Sequence, residues 1–277
     1  MYDAASLSDA PTMQRAVGEL RLDLRVRDGC TVLEGLRQAG CLKARFPRPE
    51  VPNWSSVVTL NTSGGIAGGD RLDSCFTLRT GAQATIAAQA AERFYRASSG
   101  SAPSRVRTRI VADDAAAVEW LPQETILFDR CAVDRRLDVE LAADTWFLGV
   151  ESLVFGRTAM GEVLEQASLH DLIRVRRAGR LLLHDAIHLD GAVATALQRP
   201  AIAGGARAVA TLVHVAPDAE DALESVREAM PQGGVSAWDG MLVARILAAD
   251  GASLRTAVVA ALQVLRAGRP LPRVWNC

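Results

Sequence analysis

The chain predicts a mainly β fold with two helices near its C-terminal end. Three observations point there. Short runs alternate apolar and polar residues with period two, as half-buried strands do. Turn-forming pairs such as Asp28-Gly29 and Ala178-Gly179 sit between such runs. Helical periodicity is clear only in two stretches after residue 217, so the βα alternation of a doubly wound parallel fold is missing.

Residues 1–16 are small and polar and are expected to be loose. Residues 17–277 read as one domain. Residues 20–27 (LRLDLRVR) alternate strictly and predict a strand. Asp28-Gly29 is a strong hairpin signal, and the next run begins at Thr31. Pro47, Pro49 and Pro52 mark an irregular connection. Strands are expected at 57–60, 72–78 and 82–88, the last two separated at Thr80-Gly81. Val106, Thr108 and Ile110 alternate with Arg105, Arg107 and Arg109. Residues 118–121 run to Pro122, and 137–141 alternate again. Residues 172–177 and 180–184 flank a second hairpin turn.

The first helix is expected over 218–230, with Ala219, Ala222, Leu223, Val226 and Met230 on one face, Asp218 as N-cap and Pro231 as stop. The second carries Leu254, Val258, Ala261, Leu262 and Leu265 on one face, with Ser253 at its start and Gly268 at its end.

Composition excludes several classes. The formal net charge is -1 over 277 residues, so no strong field recruits nucleic acid or an anionic membrane. No apolar run approaches the roughly 18 residues of a membrane span, and no secretory signal is visible. Lys43 is the lone lysine among 31 basic residues, a bias that genome composition explains simply. The five cysteines (Cys30, Cys41, Cys75, Cys131, Cys277) are scattered and form no CxxC. A disulfide framework or closed zinc site is therefore not expected, and a reducing compartment fits.

Four glycines fall within six positions at Gly64, Gly65, Gly68 and Gly69, followed by Asp70. They call for positive φ or close approach of another group. The spacing fits neither a dinucleotide fingerprint nor a P-loop, and Asp70 would repel an anion. A tight turn between strands is the simplest reading. His184 and His188 stand four apart, but on a strand that separation is about 13 Å, too far for one metal ion. No GxSxG elbow occurs, and the four His form no catalytic motif. Asp70, Glu119, Glu124, Asp129, Glu151 and Glu162 lie in apolar or turn-rich settings. A carboxylate there must be paired, hydrated or functional, and an ion pair with one of the many arginines is the commonest outcome. A metal-dependent hydrolase using Asp and His would need a tight site with an open position.

Five ordered blocks carry a family resemblance. They are NTSGGIAGGD at 61–70, QAAERFYR at 89–96, EWLPQETI at 119–126, VFGRTAMGE at 154–162 and LPRVW at 271–275. Together they resemble the UreD (UreH) family of urease accessory proteins. Ala87-Ala88 depart from the Thr-Thr usual before the second block. The resemblance implies a non-enzymatic, cytoplasmic scaffold for urease maturation, with stacked, β-helix-like sheets. It implies binding to the urease structural subunits, recruitment of UreF and through it the GTPase UreG, and an internal path for transient nickel, with no tightly bound cofactor. On this reading Asp70, Glu119, Glu124, Asp129, Glu151 and Glu162 are nickel-path candidates, since a conduit needs weak, exchangeable ligands. Leu254, Val258, Leu262, Leu265 and Trp275 are candidates for contact with UreF.

Overall fold

The computed structural model describes residues 14–157 and 161–276. The expected loose segment 1–16 thus lies mostly outside the described residues, as do Thr158, Ala159 and Met160 of the fourth block, and Cys277.

β1 (Val17–Arg27) and β2 (Cys30–Gly40) form an antiparallel hairpin. Asp28 and Gly29 both hold positive φ, 52° and 75°, as a primed two-residue turn requires. β3 (Leu42–Arg45) pairs antiparallel with β4 (Ser55–Asn61), and the proline-marked stretch joins them.

Beyond β4 the chain winds as a coil that visits two sheets in turn. β5 (Arg71–Leu78), β8 (Ser104–Ala112), β11 (Ala132–Leu141) and β13 (Gln166–Arg177) stack parallel in the first sheet. Between them come β6 (Gln83–Ala88), β9 (Ala117–Leu121) and β12 (Trp146–Phe155), stacked parallel with β4 in the second. The Thr80-Gly81 turn therefore joins different sheets rather than neighbours in one. β7 (Glu92–Phe94) and β10 (Thr125–Leu127) pair parallel, and β10 also pairs with β12, making a short third wall. β14 (Arg180–Ala192) closes one end of the first sheet through the Ala178-Gly179 hairpin. β15 (Ala208–Val215), β16 (Gly234–Trp238) and β17 (Met241–Ala248) extend the second sheet antiparallel. The stacked, β-helix-like body expected from the resemblance is this coil.

α1 (Val193–Leu197) is a short turn after β14. The expected 218–230 helix is split: Ala219–Ala222 is 3-10, and α2 covers Leu223–Ala229. Asp218 makes no side-chain cap. α3 (Gly251–Leu265) has the expected buried face, but its cap is Asp250, whose carboxylate accepts from the Ser253 backbone N–H at 2.7 Å. Ser253 is thus a capped donor inside the first turn. The helix stops at Leu265, and Ala267 and Gly268 hold positive φ just beyond it.

Three layers result: first sheet, second sheet, helices. One core lies between the sheets, around Leu22, Phe76, Ile110 and Phe147. The other lies between the second sheet and α2–α3, around Leu148, Leu212, Leu254 and Val258. Each fully buried Leu contributes about 2 kcal/mol. β15 sits between both cores, and all eight of its residues are buried. A strand covered on two faces has no reason to alternate, so its sequence carries no period-two signal.

Candidate functional site: a polar seam between the sheets

Inward positions of the coil are apolar along most of each strand. β11 presents Val133, Leu137, Val139 and Leu141 to the inter-sheet core, and β13 presents Leu169, Ile173 and Val175. Arg135 and Asp171 interrupt those rows at matched positions, paired in register. Arg135 Nε and Nη2 donate to the two Asp171 oxygens at 2.8 and 2.7 Å, a bidentate pair. Its Nη1 lies 2.7 Å from Glu151 Oε2 on β12 and donates to Thr125 Oγ1 at 2.9 Å. Trp120 Nε1 donates to the other Glu151 oxygen at 2.7 Å. One guanidinium therefore serves two carboxylates deep between the sheets.

A cavity of about 250 Å³ opens on one side of this group. Trp120, Thr125, Arg135, Glu151 and Asp171 form its inner end, and Asn61, Gly64, Gly65 and Glu92 its outer part. On the other side lies a void of about 10 Å³, bounded by Glu151, Asp171, Asp185 and Thr211, room for about one water. Glu151 and Asp171 border both spaces. Asp185 on β14 accepts two hydrogen bonds at 2.6 Å from Arg245 on β17. A polar seam thus crosses the stack from Glu92 near the glycine loop to Asp185 and Arg245.

Burial pushes the Glu151 carboxyl above its ordinary value. The Asp171 charge adds to that, against Arg135 and Trp120. Burial works against the Arg135 charge, but Asp171 and Glu151 outweigh it and hold the guanidinium more firmly protonated. Glu92 is also raised, chiefly by burial, although Asn61 Nδ2 donates to both its oxygens at 3.2 and 3.3 Å.

The first two sequence blocks meet at the outer part of the cavity. Ile66 N–H donates to Arg93 O at 2.8 Å, and Tyr95 Oη donates to Gly64 O at 3.0 Å. Gly65 is at φ 142°, and a Cβ there would stand 2.3 Å from the Tyr95 ring. Gly68 needs closeness instead: a Cβ would be 2.5 Å from Ser101 Oγ. Gly64 and Gly69 hold positive φ. The loop carries the chain from β4 in the second sheet to β5 in the first, so it is a crossing between sheets that also borders the cavity.

Of the six candidate carboxylates, Glu151 alone lines the cavity. Asp70 locks the loop, accepting from Ala16 and Ala67 backbone N–H groups at 2.8 and 2.7 Å. Glu119 faces the opposite side of the second sheet, because alternation along β9 turns it from Trp120. There it is fully buried and accepts from Arg266, Arg269 and Thr85 at 2.6–2.9 Å. Glu124 pairs with Arg255 at 2.9 Å. Asp129 accepts from Gln166 N–H at 2.9 Å, and Glu162 pairs with Arg157. The other five are held by their own partners away from the seam.

Leu254, Val258, Leu262, Leu265 and Trp275 are buried in the chain's own second core. Trp275 Nε1 donates to Leu121 O at 3.1 Å, and Arg269 stacks between Trp54 and Trp146 at 4.8 and 4.9 Å. The apolar face of α3 and the tail are satisfied internally, so in this conformation these five side chains offer a partner no surface. Among the described residues, no group of three or more His, Cys, Asp and Glu is arranged to hold a metal ion.

Arg135, Asp171, Glu92 and Asp185 are not among the candidates named from the sequence. A usable signal existed: a charge at an inward position of an otherwise apolar alternation, as in 133–141 and 169–175.

The geometry defines a stacked two-sheet β fold with a charged seam in its core. The chain belongs to the UreD family: the family model described as UreD urease accessory protein matches residues 16–276. It is 48% identical over 271 residues to the urease accessory protein UreD of Dinoroseobacter shibae, covering 96% of this chain and 94% of the relative. It is 44% identical over 265 residues to the UreD of Rhizobium leguminosarum bv. viciae, covering 95% and 96%. The UreD of Azorhizobium caulinodans is 42% identical over 273 residues, covering 97% and 99%. Family members are accessory proteins of urease, which places this chain in urease maturation.

Proposed function

We propose that this chain is a non-enzymatic scaffold that binds urease apoprotein, recruits UreF and through it the GTPase UreG, and passes nickel along the polar seam. The observation that supports the path is the run of carboxylates Glu92, Glu151, Asp171 and Asp185 bordering the cavity and the small void between the two sheets. Isolated oxygen ligands bind a divalent ion weakly and release it, whereas a Cys/His cage would retain it. Nickel is cargo here, and no resident cofactor is part of the proposal. A divalent ion entering the cavity would compete with the Arg135 guanidinium for Glu151 and Asp171. Arg135 then keeps the two carboxylates neutralised between passages, which limits the cost of burying them.

The proposed setting is the cytoplasm. Among the described residues no helix is long and apolar enough to cross a membrane, and the near-zero net charge gives no pull toward nucleic acid. The partner surfaces are left to exposed residues, since the apolar face of α3 and Trp275 face inward.

The test is co-expression with the UreF, UreG and urease subunits of the same source in a host lacking this gene. We expect copurification with UreF and urease activity only when this chain is present. Glu151→Gln and Asp171→Asn are expected to keep UreF copurification and lower urease activity. Full activity in the double variant would eliminate the seam as the nickel path, and absence of copurification would eliminate the scaffold role.

A further inference from the structure

The outer face of the first sheet carries a second constellation, back to back with the seam. Asp134 and His170 are the sequence neighbours of Arg135 and Asp171, and alternation turns them to the opposite face. β11, β13 and β14 lie side by side, and their register sets Asp134 opposite His170 and His170 opposite His188. Residues directly opposite on paired strands have Cβ atoms about 5 Å apart. The two imidazole rings have centres 5.9 Å apart and planes inclined by 70°. Both histidines are exposed. An imidazole nitrogen sits about 2 Å from a bound divalent ion, with the ring centre about 1 Å further back, so two rings on one ion have centres up to about 6 Å apart. The pair is already within that limit.

Asp134 supplies the supporting contact. Its Oδ1 lies 3.6 Å from His170 Nδ1, and its Oδ2 is held by Arg107. A carboxylate on the Nδ1 side leaves Nε2 as the ligand atom, the arrangement that orients metal-binding histidines generally. Asp190 lies two residues beyond His188 on the same strand face. His184 also shares that face, but stands about 13 Å away along the strand.

We infer that His170 and His188, positioned by Asp134, form an open surface site for a borderline divalent transition ion, with nickel as the fitting example. Imidazole nitrogen suits nickel, copper and zinc over magnesium or calcium. Two protein ligands leave the remaining positions to water, so the site loads and releases readily and is not a structural centre. The inference stands on the outer face alone and does not depend on transport through the seam.

The test is titration of the purified full-length chain with NiCl2, followed by calorimetry, for the native protein and four variants. His170→Ala and His188→Ala are each expected to weaken one binding event at least tenfold. Asp134→Asn is expected to weaken it less, while His184→Ala leaves it unchanged. Cu²⁺ loaded at one equivalent is expected to show a two-nitrogen electron paramagnetic resonance pattern, reduced to one nitrogen in either single histidine variant. All four side chains are at least partly exposed, and circular dichroism checks that folding is retained. Native affinity in the His170→Ala, His188→Ala double variant, or an equal loss in His184→Ala, would overturn the site.

Discussion

Two buried ionic groups lie on opposite faces of the second sheet, with similar chemistry and opposite surroundings. On the helix side, Glu119 is fully buried and saturated by Arg266, Arg269 and Thr85, with Arg269 stacked between two tryptophans. On the first-sheet side, Glu151 and Asp171 share the single Arg135 and border open space. Burial opposes ionisation in both. Around Glu119 the Arg266 bonds and charge, with Thr85 and Arg269, overcome it and hold the carboxyl below its ordinary value. Around Glu151 burial prevails over the Arg135 charge and the Trp120 bond, with the Asp171 charge adding to it, and the carboxyl is raised. Saturation and dryness mark a clamp that fixes the C-terminal tail to β9. Sharing and adjacent space mark groups that could exchange partners.

The largest effect should come from breaking the clamp. Glu119→Gln strands the Arg266 charge in a dry core, and such losses run to about 3–5 kcal/mol. Glu151→Gln should cost less, about 1–3 kcal/mol, because Arg135 keeps Asp171 and cavity water can reach it. Urea unfolding of both variants measures the gap, and equal losses would erase the distinction between the groups.

The pH dependences should have opposite signs. A carboxyl lowered in the folded state stabilises above its ordinary value, near 4.5, and loses that contribution as pH falls through the folded value. The penalty of Glu119→Gln should therefore grow from pH 4 to pH 7. A raised carboxyl contributes most below its ordinary value and loses this as pH rises. The penalty of Glu151→Gln should accordingly shrink over the same interval. Stability curves at several pH values check both, and parallel trends would contradict the assignment of Glu151.

The smallest effects refine the same contrast. Thr85→Val removes one donor from Glu119 and should cost about 1 kcal/mol. Thr125→Val removes an acceptor from Arg135 beside the cavity, where water can substitute, and should cost less. Thermal unfolding with the two variants side by side resolves the difference.

Legibility in the sequence followed packing. β1, β5, β8 and β11 have one buried face and one wet face, so their alternation was readable. β12 and β15 lie between two cores and show no period-two alternation. The hairpins at Asp28-Gly29 and Ala178-Gly179 were local and visible, whereas the parallel stacking of every coil turn joins strands distant in sequence. The candidate site divides likewise. Glu151 was legible as a carboxylate before an apolar run. Glu119 looked equivalent, but β9 alternation places it on the far side of its sheet. Arg135 and Asp171 matter only as a pair, and their sequence positions do not reveal that they meet.

By itself the sequence determined the β character, two hairpins, the buried face of α3 and the family, because each rests on local periodicity or ordered motifs. Only the tertiary structure decided which carboxylates share the interior and which clamp the tail. A strand's two faces differ by a single residue step, and what covers each face is set by partners far along the chain.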